Sequence, residues 1–539
     1  MRKYLDSEKL HNSIWKYGLV ILMIAGCALR LYALGSIPYG LNQDEASIGY
    51  EAFSLAMYGT DRYGHPWPVY PITWGSGGGS PLMIYLSVCT TKLFGVSVWS
   101  LRLIPAVLGC ATLVLFCLLA LRLFGKRAAF FAALLIAVNP WHLMLSRWSL
   151  DCNTLPFWLL AASYALIKGM QSEPGKVQTV WYLSSAALYA VCVYAYGSAT
   201  VVIPLTLAIL AFVSIKKGRI QTRQMLAAMA VFVIVLLPIG VFYSINYLGL
   251  PDLETTFFSV TKFTGTKSVF YERDAALPAH MWESARYLLR FLTIGSKDTE
   301  IICSQVPGVG TMYRFSFPLT WAGFYIAVRA VRTKSEETAA GADMVMMVLF
   351  AVSFIFSLFL ELNISRMTMF LVPMLYFQLR GWRAIAGRWH VVGWLVALVF
   401  CIGGSLFLKD YFGERYRRLS AESFMPGYGE AVLYAETLSQ AEGTIYSTYR
   451  HVAAPYMVAM YYLQTPPAEF MKTVQWREEG AEFMIADAFG NLVFGLPEDI
   501  LSNHHDNDVL ILHREDLDAY HIAEEETAEF GDFMVVKVR

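Results

Sequence analysis

Pro81-Leu82-Met83-Ile84-Tyr85-Leu86-Ser87-Val88-Cys89-Thr90-Thr91-Lys92 is apolar enough to pass for a membrane span, and its reading sets the sidedness of everything after it. The segment opens on a proline behind the glycine-rich run Gly75 to Gly79 and meets Lys92 before it is long enough. A hydrocarbon core asks for about 20 mostly apolar residues, so 81–95 is expected to be a helix lying in the interface. Eleven spans are then expected, at 17–34, 102–122, 128–145, 153–169, 180–196, 198–215, 225–246, 318–333, 343–361, 367–380 and 390–408. With 539 residues, 56% of them hydrophobic and 16% charged, and a mean hydropathy of +0.46, the chain has the composition of a polytopic α-helical membrane protein.

The positive-inside rule orders these spans. Arg2, Lys3, Lys9 and Lys16 place the N-terminus in the cytoplasm. The turns that should then face inward are basic: Arg122, Lys126 and Arg127; Lys168 and Lys176; Lys216, Lys217, Arg219 and Arg223; Arg329, Arg332 and Lys334; Arg380, Arg383 and Arg388. Counting 81–95 as a span would put the 122–127 cluster outside. Ala33-Leu34-Gly35 resembles a cleavage site, but Arg30 interrupts the apolar core, so the first segment is read as a transmembrane helix. The outer face then receives loop 35–101, the turn at 146–152, loop 247–317, the turn at 362–366 and the tail.

A formal net charge of zero hides a split. Residues 410–539 hold nine Lys and Arg against 23 Asp and Glu, leaving 33 against 19 for the rest. The expected organisation is a membrane domain over 1–409 and a soluble, acidic, extracytoplasmic α/β domain over 410–539. Strands are expected at 444–446, 483–485, 508–512 and 533–536, and helices at 455–463 and 514–520. Neither part has the clustered basic patch of a nucleic-acid binder. Five of the eight cysteines lie inside apolar runs and the others are scattered, so no disulfide framework or zinc motif emerges.

Polar residues gather where this topology places the outer face. The first loop carries Gly40-Leu41-Asn42-Gln43-Asp44-Glu45-Ala46-Ser47-Ile48-Gly49-Tyr50. Two adjacent acids at a membrane exit are costly unless paired, solvated or used. Asn42 with Glu45, or Asp44 with Ser47, also reads as a helix cap. The next outer turn holds Arg147 and Asp151, four apart and so on one face of a helix. Glu361, Asn363 and Arg366 precede the tenth span, and Tyr313 closes loop 247–317. Arg366 equally suits an interfacial anchor. His65, His142 and His280 read as satisfied surface residues. Together these acids and arginines suit joining a hydroxyl to a lipid-linked sugar: a carboxylate takes the acceptor proton, and arginine (Arg147, Arg366 or Arg62) holds the departing phosphate. The chain has no GxxxxGK[ST] phosphate loop.

Several runs carry a resemblance. They are Arg30-Leu31-Tyr32 to Pro38, Asp44-Glu45-Ala46 with Gly49-Tyr50, Arg102-Leu103-Ile104-Pro105, Asn139-Pro140-Trp141-His142 with Ser146-Arg147-Trp148 and Asp151, Gly310-x-x-Tyr313 before Ser316-Phe317-Pro318, and Asn363-x-x-Arg366 with Pro373. In this order, over roughly 17–408, the chain resembles the protein O-mannosyltransferase-like branch of the GT-C glycosyltransferases, most nearly its bacterial phospholipid-carrier-dependent members. The resemblance implies a polyprenyl-phosphate-sugar donor, a protein or cell-envelope glycan acceptor, and inverting transfer at the outer face. It implies Asp44 as general base with Glu45 as its neighbour, Asp151 as a second acid with Arg147 beside it, and Asn363, Arg366 and Tyr313 as substrate-binding positions. Aminoarabinose-transferring relatives carry Lys-Pro-Pro where this chain has Ser80-Pro81-Leu82, which argues against that substrate. Asp-Glu in place of Asp-x-Asp argues against an obligatory metal while leaving a divalent ion open, and no other cofactor is expected. The competing reading is a transporter or flippase of a lipid-linked sugar, disfavoured by span interiors that read as nearly charge-free.

Overall fold

A computed structural model describes the chain except residues 1, 75–78, 264–270, 272–273, 296–301, 334–336, 441–442, 482, 499, 501–504, 506, 524–526 and 539. The glycine run of the first loop thus lies outside the described residues but for Gly79. In chain order the helices are α1 (Arg2–Leu31), α2 (Gln43–Tyr58), α3 (Pro81–Phe94), α4 (Val98–Phe124), α5 (Lys126–Ala137), α6 (Pro140–Leu145), α7 (Leu155–Gln171), α8 (Lys176–Ala195), α9 (Ala199–Lys216) and α10 (Thr222–Leu248). A short hairpin, β1 (Leu253–Glu254) and β2 (Ser259–Val260), leads to α11 (Leu277–Ile294), α12 (Phe317–Thr333), α13 (Glu337–Ser357), α14 (Leu371–Arg388) and α15 (His390–Tyr411). The tail holds α16 (Glu414–Phe424), α17 (Tyr428–Ser439), β3 (Ile445–Ser447), α18 (Pro455–Leu463), α19 (Pro467–Thr473), β4 (Gln475–Trp476), β5 (Ala486–Phe489), β6 (Leu492–Phe494), β7 (Val509–His513), β8 (Ala528–Phe530) and β9 (Phe533–Lys537).

The chain divides into two compact units. One comprises Met1–Tyr32, Pro105–Leu237 and Ser268–Glu414; the other comprises Ala33–Ile104, Pro238–Lys267 and Arg415–Arg539.

The first unit is helical. Among the described residues six helices of the chain are long and apolar enough to cross a membrane: Val98–Phe124, Lys176–Ala195, Ala199–Lys216, Thr222–Leu248, Ala339–Ser357 and His390–Tyr411. The other expected spans coincide with α1, α7, α12, α14 and the pair α5–α6. The segment 128–145 is not the single helix expected. Pro140 has no N–H to donate and biases the residue before it out of the helical region, so α5 ends and Asn139 caps a new helix, accepting from the His142 N–H at 2.9 Å. Burial separates the spans: 67% of the α13 window is inside the protein against 11% for α10, whose Leu226, Met229, Val233 and Ile234 are exposed. Apolar side chains turned outward along a whole helix are what lipid solvates. Close helix approach comes from small residues: a Cβ on Gly323 of α12 would stand 1.8 Å from the Phe377 carbonyl oxygen of α14. Charge at the ends of two expected spans, 343–361 and 367–380, is paired. Asp343 of α13 is fully buried, accepting from Tyr376 Oη at 2.6 Å and paired with Arg380 at 3.3 Å.

The second unit is built on a seven-stranded sheet of order β4-β5-β6-β3-β7-β9-β8. The central β3 runs parallel to both neighbours, Ile445 standing opposite Leu492 of β6 and Val509 of β7. The outer pairings are antiparallel. β7 is buried along its whole length, with Val509 and Ile511 in one apolar cluster and Leu510 and Leu512 in another. A strand covered on both faces reads as such an unbroken apolar run. The larger cluster also takes Ile48, Phe53, Met83, Ile84 and Val88 from α2 and α3, so the first loop shares a core with the tail's sheet. Two tail expectations are corrected. The strand expected at 483–485 forms at 486–489, and the helix expected at 514–520 is only a 3-10 turn over Arg514–Asp516.

Candidate active site

Helix α2 starts where Gly40 and Asn42 permit it. Gly40 has φ +87°, and a Cβ there would fall 2.0 Å from the Phe424 carbonyl oxygen, so only glycine fits. Asn42 accepts from the Asp44 N–H at 2.8 Å while its own N–H donates to the Glu45 carboxylate at 3.3 Å, a complete capping box. The two adjacent acids then part company, because neighbours on a helix point about 100° apart. Glu45 is fully buried and receives both forks of Arg102, Nε to Oε1 at 2.8 Å and Nη2 to Oε2 at 2.7 Å. The same guanidinium donates to the carbonyls of Pro38 (2.7 Å) and Gly40 (2.8 Å), tying the start of the loop to α4. Asp44 remains half-buried at the second position of the helix.

Seven residues on, two helical turns from Asp44 and on the same face, lies Glu51. It is fully buried and takes the Nε–H of Arg62, whose Nη2 donates to Ser47 Oγ at 2.9 Å. Burial pushes the Glu51 carboxyl up to about 7, although the Arg62 guanidinium beside it pulls the other way. Arg62 Nη1 is buried with no hydrogen-bond partner among the described residues, a donor that a water or an anionic group would complete. The following turn is closed by Asp61, which accepts from the N–H groups of Tyr63 (3.0 Å) and His65 (2.9 Å) and pairs with His65 Nδ1 at 3.0 Å. That hydrogen bond raises the His65 pKa against a smaller opposing effect of burial. His65 thus has a built-in acidic partner.

The remaining residues singled out from the sequence belong to the first unit. Arg147 is fully buried and donates to the carbonyls of Leu29 (2.7 Å), Arg30 (3.0 Å) and Tyr32 (2.7 Å), the open C-terminal end of α1, with the Phe412 ring 5.0 Å from its guanidinium carbon. Arg147 and Asp151 do not share a helix face, contrary to expectation. Turn and extended residues follow α6, and Asp151 opens a 3-10 turn ahead of α7, accepting from the Cys152 N–H at 2.7 Å. Asn363 accepts from the Arg366 N–H at 3.0 Å, two residues ahead of the 3-10 turn Ser365–Phe370. Arg366 Nη1 donates to the Glu361 carbonyl and lies 3.4 Å from its carboxylate, with the side chain 15% exposed. Tyr313 is buried and donates to the Val138 carbonyl at 2.5 Å. His142 is not a surface residue. It is fully buried, its Nδ1 2.7 Å from Nη2 of Arg30, which also donates to the Ile136 carbonyl at 2.8 Å.

Arg102, Glu51 and the Asp61–His65 pair were not read from the sequence as parts of this site. Spacing alone could have flagged Glu51, seven residues after Asp44. No local signal points from Glu45 to a partner 57 positions away.

Residues 78–242 match the family model described as dolichyl-phosphate-mannose-protein mannosyltransferase. No match is found among curated protein sequences. Among solved structures, ArnT from Cupriavidus metallidurans in the apo state is similar at a TM-score of 0.56 and 15% identity, over 97% of this chain and 98% of that one. The same enzyme bound to undecaprenyl phosphate gives the same figures. The apo oligosaccharyltransferase of Archaeoglobus fulgidus is similar at a TM-score of 0.50 and 14% identity, over 83% of this chain and 64% of that one. The structural likenesses show that the chain shares the fold of these enzymes, and the family model adds a sequence match over residues 78–242 within it.

Proposed function

We propose that this protein transfers a monosaccharide from a polyprenyl-phosphate carrier to a hydroxyl group of a protein or cell-envelope glycan, at the outer face of the membrane and with inversion. One observation carries the reading. Of the two adjacent acids, Glu45 is fully buried against Arg102, whereas Asp44 is half-buried, on the side of α2 that also carries the buried Ser47 and Glu51. The bound undecaprenyl phosphate of the C. metallidurans enzyme supports the class of carrier.

In this reaction the Asp44 carboxylate takes the acceptor's proton as its oxygen forms the bond to the anomeric carbon. The carbon–oxygen bond to the carrier phosphate breaks on the opposite side, and the phosphate leaves with the electron pair. Displacement from the opposite side is what inverts the centre. Arg62, with its uncompleted N–H, is the nearest candidate along the chain to meet the phosphate charge. The reading asks for no resident metal at Asp44, so transfer is expected to persist in a chelator.

The test is an assay of the purified full chain with polyprenyl-phosphate sugars and candidate acceptors. Asp44→Asn is expected to lower turnover by about 10²–10⁴-fold, the usual worth of a positioned base. Full transfer by that variant would remove Asp44 from the mechanism. Sugar crossing vesicles without covalent transfer would replace the enzyme reading with transport.

A further inference from the structure

The tail's sheet carries a second constellation, unconnected with Asp44. β3 and β7 are neighbouring parallel strands, and the chain leaves both at the same edge. In sheets of this kind ligands bind in the crevice outside the carboxyl ends of the strands. His451 follows β3 there, while His513 ends β7 and Glu515 stands two residues beyond it. The two imidazole rings lie 4.7 Å apart, centre to centre. One ligand atom from each of His451, His513 and Glu515 falls within 4.8 Å of those of the other two. Glu515 Oε2 is 3.3 Å from His451 Nε2. A cavity of about 370 Å³ opens beside them, lined also by Arg418, Glu422 and Asp532.

Local structure presets part of this geometry. His513 caps the 3-10 turn that follows β7, its Nδ1 accepting from the Glu515 N–H at 3.3 Å, while Asp516 accepts from the His513 N–H at 3.0 Å. The turn therefore fixes His513 and Glu515 relative to one another. His451 is held at φ +54°, a region a β-carbon makes costly. An ordinary surface ion pair needs one histidine and one acid and gains little. Here a second imidazole stands beside the first, where two protonated rings would repel.

We propose that His451, His513 and Glu515 bind one divalent cation of the zinc type, leaving a fourth position open to the cavity. Two imidazoles and one carboxylate form the three-ligand set that tetrahedral zinc accepts with a position to spare. They suit zinc, cobalt, nickel or copper, whereas calcium and magnesium require oxygen ligands throughout. Closing the ligand atoms onto an ion takes modest side-chain rotation, which the half-exposed His451 and Glu515 side chains allow. A cation on His513 Nδ1 replaces the hydrogen bond from the Glu515 N–H. A cation on Nε2 moves the ring proton to Nδ1 and ends the same bond. Either costs one long hydrogen bond.

The test uses the full chain in detergent, stripped by a chelator and titrated with Co²⁺, with Zn²⁺ as competitor. Expected is saturable binding of one Co²⁺ with the visible absorption of a four-coordinate ion, displaced by Zn²⁺. His513→Ala and His451→Asn should each weaken that binding by about 100-fold. Asparagine is chosen at 451 because it tolerates the left-handed backbone. Metal-free melting of both variants close to that of the parent shows that the tail still folds. If a variant melts early, Glu515→Gln, further from the core, takes its place in the comparison. Absence of a saturable Co²⁺ site, or binding left unchanged by all three substitutions, overturns the proposal. Because the readout is metal binding, its failure is distinct from failure of the transfer reaction.

Discussion

Asp44 and Glu45 differ by one position and stand in opposite circumstances, so substituting each should produce different kinds of loss. Glu45→Gln leaves Arg102 buried without its counter-charge and weakens the cap of α2. Breaking a buried, doubly hydrogen-bonded pair costs about 3–5 kcal/mol. The expected result is a lowered melting temperature and reduced yield, with any folded fraction still binding the carrier. Asp44→Asn should instead melt like the parent and fail in turnover. A Glu45→Gln protein that is fully stable yet inactive would reverse the two assignments. The arginines divide in the same way. Nη1 and Nη2 of Arg147 donate to the end of α1, so Arg147→Ala is expected to act on stability. Among the described residues the Arg366 side chain is paired with Glu361, and it keeps some exposure. Arg366→Ala is therefore expected to raise the KM for a lipid-phosphate donor and leave the melting temperature nearly unchanged. Equal effects of the two substitutions on melting would contradict this division.

The 59–66 turn after α2 illustrates what a local element adds and how pH reaches it. The hydrogen bond from Asp61 raises the His65 pKa above its ordinary 6.5. A group whose pKa rises on folding contributes stability that is fully present below 6.5 and is lost as pH climbs through the higher folded value. The melting temperature of the parent minus that of His65→Gln should thus be greatest below pH 6.5 and shrink above it. A difference independent of pH would show that the pair contributes nothing through charge. Elements of this kind mark the limit of what the sequence displays. The capping box at Asn42 and Glu45 was legible because both halves lie within one turn, and the long apolar helices were legible from composition. β3, β7 and β9 carried enough apolar residues to be expected within a residue or two. β4, β6 and β8, two or three residues each, are too short to show a period and exist only through their partners. The site shares this limit: Arg102 meets Glu45, and Arg30 meets His142, through tertiary structure alone. Proline chemistry was present in the sequence at Asn139-Pro140, yet the apolar run across it concealed the break.

At the scale of the whole molecule, sidedness rests on α3. Its 14 residues span about 21 Å at 1.5 Å each, short of the roughly 30 Å of hydrocarbon. Its apolarity also has a use that needs no lipid, since Met83, Ile84 and Val88 lie in the core that holds the tail's sheet. Without α3 the expected count is eleven crossings, and an odd number would carry the tail to the face opposite a cytoplasmic N-terminus. The tail has no cysteine of its own, because all eight lie at or before Cys401. Lys472, exposed in the last turn of α19, can therefore carry a reporter, Lys472→Cys, in a chain whose exposed Cys89 and Cys401 are replaced by serine. A membrane-impermeant maleimide should label this cysteine in intact cells. A Glu173→Cys reporter, exposed in the α7–α8 turn, should react only after permeabilisation. The two reporters are separated by an odd number of expected spans, so they must respond oppositely if the count between them holds. Labelling of Glu173→Cys from outside with Lys472→Cys protected would mean that α3 crosses after all or that α1 does not. Asp44 precedes α3 in the chain, so only the second of these would move it to the cytoplasmic side, away from the acceptors proposed for it.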